Sequence, residues 1–259
     1  MRKLLFFVFL AFTNLSLFAQ FGSIRGNGNV VKTNRNVGSF SEIEAGGSLN
    51  VFLTQGSSNE VLIEADENLH EIIITEVRGD KLIIKNEENV RESKKFDVYV
   101  TFREINSISS SGSTDVTALT SLSSNRNFTV SSSGASDLIL KEGLSCQVLN
   151  INGSGSSDIE LSDVESTQTT IGVSGSVDLE IEGKTDQITI GASGSSDISA
   201  KDFIANNVSV SASGSSDIYV YAKSSLMVNA SGSSDIYYWG EPTNRQIQAS
   251  SAADVTLKQ

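Results

Sequence analysis

Eight aspartates recur at nearly constant intervals in the C-terminal part of the chain: Asp115, Asp137, Asp158, Asp178, Asp197, Asp217, Asp235 and Asp254. Successive copies lie 18 to 22 residues apart, and all but the last close a Ser-Gly-x-x-Asp motif. Regularly spaced carboxylates can do three kinds of chemistry. Two of them about 5–9 Å apart can share the work of cleaving a glycosidic bond. A row of them can collect calcium, which takes six to eight oxygen ligands. Each can also serve its own backbone, accepting bonds from N–H or hydroxyl groups at a Gly-Ser turn. The likeness of the copies favours the turn, because a catalytic pair would set one or two repeats apart from the rest. Aspartate and serine supply few of the oxygens calcium needs, and the calcium nonapeptide repeat GGxGxDxUx is absent. The expectation is a structural Asp column with no cofactor and, at most, weak calcium binding.

Two further groups could be reactive. Cys146 and His70 are the only cysteine and histidine, and such a pair can act as nucleophile and base. The local sequence Gly143-Leu144-Ser145-Cys146-Gln147 matches no protease signature, so an inert, buried thiol is expected. One cysteine and one histidine also exclude an ordinary structural zinc site.

The outward positions of the repeats differ in one place. Two and four residues after Asp217 and Asp235 stand Tyr219, Tyr221, Tyr237 and Trp239, where most other copies carry Thr, Ser, Glu or Lys. Four aromatics beside two carboxylates suit a sugar ring, and clustered exposed aromatics also mark protein contacts. The alternative is that the loop Gly240–Arg245 folds back and covers them.

The elements that position these groups follow from phase. Seven residues before each Asp stand Ile108, Val130, Ile151, Ile171, Ile190, Val210, Val228 and Ile247. One residue after it stand Val116, Leu138, Ile159, Leu179, Ile198, Ile218, Ile236 and Val255. These positions share parity, so they fall on one face of an extended chain, and their β-branched character suits strands. The same parity places the repeat's glycine, three before Asp, on the inner face, where a bend is needed. The Asp side chains then point outward. A period near 20 is too short for a propeller blade but fits one coil of a solenoid. The predicted fold is all-β: a right-handed parallel β-helix of about eight coils over 105–259, preceded by a less regular β-rich region over 20–104 that caps it. At one strand spacing per coil, eight coils stand roughly 38 Å tall. The last coil leaves an open edge, which the 240–245 loop shields or a second copy of the chain pairs with.

Arg2 and Lys3, followed by an apolar run to Phe18 and then Ala19-Gln20, read as a secretory signal peptide over residues 1–19. With 19 Lys and Arg against 31 Asp and Glu, the formal charge is −12. Such a surface repels phosphate backbones, so nucleic acid is not an expected partner.

Phe40-Ser-Glu-Ile43 with Gly47, Val51 and Gln55-Gly56 forms a first motif. Val61–Leu69 (VLIEADENL), Gly79–Lys85 (GDKLIIK) and Asp97–Val116 follow, running into the Ser-Gly-x-x-Asp repeats. This order, over about residues 37–257, resembles the auto-transporter adhesin head GIN domain proteins of bacterial envelopes. The resemblance implies export and a β-helix-like fold, and it carries no catalytic residues with it. The function expected is therefore that of an exported, non-enzymatic envelope protein, adhesin-like, binding a glycan or a cell-surface protein. Two rivals are a carbohydrate-active lyase or hydrolase on a β-helix, and a structural or sensory envelope module with no small ligand.

Overall fold

The computed structural model describes residues 23–250 and 252–259, so the signal-peptide segment lies outside the described residues. The repeats wind into a parallel β-solenoid of about eight turns, with each coil hydrogen-bonded to the next. Three walls make up a coil. The first holds the strand before the Ser-Gly turn. There Ile43, Ile108, Val130, Ile151, Ile171, Ile190, Val210, Val228 and Ile247 pair in one continuous parallel column. The second wall begins at each Asp, and Asp115 through Asp254 are likewise in register with their neighbours or lie on directly paired strands. The third is the short return, in which Leu122, Leu144, Val164, Gly183 and Phe203 stack. Ile190 and Val210 are fully buried and Ile171 nearly so. The period-two alternation of the sequence thus becomes a filled interior.

The glycine of the repeat does not face the core. Gly112, Gly134, Gly155, Gly175, Gly194, Gly214 and Gly232 lie on the surface of the corner between the first two walls. The residue before Asp is the buried one: Thr114, Ser136, Ser157, Ser196, Ser216 and Ser234 are at 0 % exposure. Parity counting assumes an extended chain, and these glycines break it with φ between +74° and +97°. A β-carbon on Gly194 or Gly214 would sit 2.4 Å from the carbonyl oxygen of the glycine one coil before. That oxygen already accepts a bond from the residue after the stacked glycine, as in Ser195 N–H to Gly175 O at 2.8 Å. The turns therefore form a backbone ladder with no room for side chains at this point.

The N-terminal region joins the stack out of chain order. Glu42–Gly46 and Asn50–Gln55 form a coil in parallel register with Ser107–Ser110 and Asp115–Ala118. Lys81–Asn86 and Phe96–Phe102 pair on its other side. Beyond them the chain closes that end with antiparallel strands: Ile73–Arg78 on one wall, Glu60–Asp66 and Val30–Arg35 on another. Asp66, 1 % exposed, ties this cap together by accepting bonds from the backbone N–H groups of Gly28, Lys94 and Lys95. At the other end, Asn244–Ala249 and Asp254–Leu257 form the final coil among the described residues. There Ile247 and Leu257, although in inward columns, are 42 % and 46 % exposed. Arg245 occupies an inward position and reaches the Tyr238 hydroxyl at 3.4 Å.

Candidate functional site

In the five repeats where serine precedes Asp, that serine ties the turn. The hydroxyl before Asp donates to the carbonyl four residues before Asp: Ser136 to Ser133 at 2.9 Å, Ser157 to Ser154 at 3.3 Å, and Ser234 to Ser231 at 2.9 Å. The sequence reading gave this fastening task to the carboxylate, and the geometry gives it to the neighbour. The Asp side chains themselves line the outer surface of the second wall. Their spacing of one coil, about 4.8 Å, corresponds to a mutual repulsion of about 0.9 kcal/mol in water. Its effect is visible in their acidities. Burial, then the Asp115 and Glu160 carboxylates, push Asp137 above its ordinary value. Burial, then Asp137, Asp178 and Glu160, do the same at Asp158. At Asp217 the causes are burial, then Asp197 and Asp235. The column continues into the N-terminal coils, where Asn50 and Asp97 occupy the Asp position. Asp97 is buried and paired with the Lys95 ammonium at 2.7 Å and the Asn50 amide at 2.9 Å. Among the described residues, no group of three or more His, Cys, Asp or Glu side chains is arranged to hold a metal ion.

These shifts fix the sign of a stability effect. Asp137 holds its proton more tightly folded than unfolded, so the native state loses stability as pH rises past its ordinary value of 3.8. Asp137→Asn removes that penalty. Its stability at pH 7 is expected to exceed that of the parent by under about 1 kcal/mol at this half-buried, solvent-screened site, seen as a higher melting temperature. The gain should vanish at pH 3. A loss at pH 7, read by thermal melts at both pH values, would show that the carboxylate fastens the turn after all.

The four aromatics come together as the register requires. Tyr219 pairs with Tyr237 and Tyr221 with Trp239 on adjacent coils. The Tyr219 and Tyr237 rings stack at 5.0 Å between centroids with 20° between planes, and Trp239 lies 6.4 Å from Tyr219. All four are half-buried. Lys258 places its ammonium 4.4 Å from the centre of the Tyr237 ring. The Tyr237 hydroxyl donates to Asp235 at 3.4 Å. Asp235 is the main cause that raises the Tyr237 hydroxyl's pKa, while burial leads at Tyr219, followed by Asp217, Asp197 and Asp235. The loop after Trp239 starts at Gly240 (φ +91°) close against the patch, where a β-carbon would lie 3.3 Å from a ring carbon of Tyr221. Tyr221, Trp239, Gly240, Glu241, Leu257 and Lys258 then line an open depression at the end of the stack. The result is an aromatic surface edged by carboxylates and by Lys223 and Lys258.

Cys146 and His70 do not form a site. Cys146 lies in the third wall, and burial pushes its thiol up to about 11, which keeps it protonated and unreactive at neutral pH. His70 belongs to the N-terminal cap, with Nε2 at 3.2 Å from both the Val31 and Ala65 carbonyls. A second aromatic pair had no signal in the repeat pattern. Phe52 and Tyr99 stack at 5.0 Å and 20°, on strands far apart in sequence and adjacent in space.

Residues 39–242 match the family model described as "Putative auto-transporter adhesin, head GIN domain". Three crystal structures share the fold. A protein of Parabacteroides distasonis described as a putative lipid binding protein has a TM-score of 0.83 at 22 % identity. A putative adhesin of the same species has 0.84 at 22 %, and a putative adhesin of Bacteroides fragilis has 0.70 at 24 %. Each alignment covers 91 % of this chain and 100 % of the other. No curated protein matches the chain.

Proposed function

The chain belongs to the auto-transporter adhesin head GIN domain family, and from that premise we propose that it is an exported, non-enzymatic binding protein of the cell envelope whose ligand platform is Tyr219, Tyr221, Tyr237 and Trp239. The observation that carries this is the half-open aromatic stack edged by Asp217 and Asp235. An aromatic face carries partial negative charge and attracts the C–H face of a sugar ring, while flanking carboxylates accept bonds from its hydroxyls. A neutral glycan satisfies both. Against an enzymatic role stands the sameness of the Asp column, since glycosidic chemistry needs two carboxyl groups in unlike environments. The relative described as lipid-binding raises the question of an apolar ligand. Side chains such as Phe128, Leu149 and Phe203 fill the interior here, which favours a ligand held on the outer surface.

Trp239 is the only tryptophan, so its emission reports on the platform directly. Titration with β-1,4-linked glucose or N-acetylglucosamine disaccharides is expected to shift that emission and protect it from acrylamide. Tyr237→Ala should weaken binding about tenfold, which equals the upper range of one aromatic contact. An emission unmoved by any of these sugars, in protein whose circular dichroism shows it folded, overturns the proposal.

A further inference from the structure

The two aromatic stacks stand on one line. The position two residues after each Asp faces outward, and hydrogen-bonded register joins these positions across the whole stack. In spatial order they are Tyr99, Phe52, Thr117, Ile139, Glu160, Glu180, Ser199, Tyr219, Tyr237 and Thr256. Phe52 on Tyr99 and Tyr219 on Tyr237 share one geometry, 5.0 Å and 20°. Six coil steps separate Phe52 from Tyr219, which is about 29 Å along the axis. Between the stacks the column carries no aromatic side chain, and the Asp column runs beside it, offering an acceptor at every coil.

We infer that the outer face of the second wall is a single linear track for a neutral, extended glycan chain, laid along the solenoid axis and held at both ends on aromatic stacks. This rests on the reading of the Tyr219–Trp239 surface as a sugar platform and adds a second platform, Phe52 with Tyr99. A polymer of stacked rings and hydroxyls matches what the wall repeats: an acceptor row with a spacing close to that of the sugar units in an extended β-linked chain. Anionic chains are disfavoured by Glu160, Glu180 and the Asp column. A polycation is a poorer fit, because Lys141, Lys201 and Lys258 stand beside the track, four residues after Asp in their coils, and Lys141 is already paired with Glu160.

Two platforms on a rigid wall make affinity depend on ligand length. Once a chain spans both, the second contact becomes intramolecular. Neutral β-1,4-linked oligosaccharides of increasing length, titrated against the intact protein by Trp239 emission and calorimetry, should show a step of at least about tenfold in affinity when the chain reaches about 29 Å. In Phe52→Ala/Tyr99→Ala the step should disappear while the disaccharide still binds at Trp239. Oligogalacturonate of equal length should bind more weakly than the neutral chain. Affinity independent of length in the parent protein overturns the track and leaves the single platform standing, as does a step that survives Phe52→Ala/Tyr99→Ala. A disaccharide that never perturbs Trp239 overturns the platform itself. Oligolysine that binds along the wall where the neutral chains do not would replace the glycan with a basic peptide.

Discussion

Gly194→Ala is expected to destabilise the solenoid by about 2–4 kcal/mol, far beyond the usual cost of adding one methyl group. Two effects combine at this site. The backbone sits at φ +91°, where an L-residue with a side chain pays about 1–2 kcal/mol. The new β-carbon would also lie 2.4 Å from the Gly175 carbonyl oxygen, which is backbone and cannot swing aside. Relief requires the two turns to separate, and separation lengthens the Ser195 N–H to Gly175 O bond now at 2.8 Å. Gly28 isolates the first effect. It has φ +77° but nothing within 4 Å of its notional β-carbon, so Gly28→Ala should cost only the conformational part, about 1 kcal/mol. Urea unfolding of both variants, followed by Trp239 emission and far-ultraviolet circular dichroism, measures the difference. Equal losses would mean that the glycine ladder is a matter of φ alone and that the coils are free to spread.

That ladder marks the limit of what the sequence makes legible. The apolar columns could be read directly, because within a strand a period of two is the same in sequence and in space. Ile151, Ile171, Ile190, Val210 and Val228 are stacked and buried as their phase requires. The count fails where the chain stops being extended. At a left-handed glycine the chain bends out of the strand line, so Gly194, placed inward by its phase, is exposed, while Ser196 and Ile198 of the same parity stay buried. The aromatic surface was legible for the same reason as the columns: Tyr219 and Tyr237 occupy equal phases of adjacent repeats. Phe52 and Tyr99 occupy equal phases too, but one coil has an Asn at the Asp position and the chain visits these coils out of spatial order. Glu42–Gln55 is laid down first and then enclosed between 81–102 and 107–118. A period measured along the sequence cannot register a coil whose neighbours are made later.

Ile190→Asp is expected to prevent folding of the central coils at neutral pH. Ile190 is fully buried between Ile171 and Val210, and truncating such a side chain alone costs about 2–5 kcal/mol through lost burial and the cavity left behind. The introduced carboxylate has no cation within the apolar column, so it must either ionise without a partner or take up a proton. Both routes cost stability, and the second gives the substitution a pH signature. Burial raises the folded-state pKa above the unfolded value, so the folded state binds the extra proton and the penalty shrinks as pH falls through that raised pKa. The destabilisation should therefore be greatest at pH 7 and partly relieved near pH 4, in the direction opposite to ordinary acid denaturation. The neighbouring Thr189 points outward, in a column with Thr170 and Ser209, so Thr189→Asp should change stability by less than about 0.5 kcal/mol. Each coil contacts only its neighbours, so hydrogen exchange in Ile190→Asp should show protection lost first in 168–212 and retained longer in the N-terminal cap. A variant at Ile190 no worse than the one at Thr189 would mean that the strand's two faces are exchanged, and the inward column, the Asp row and the aromatic track would all have to move with it.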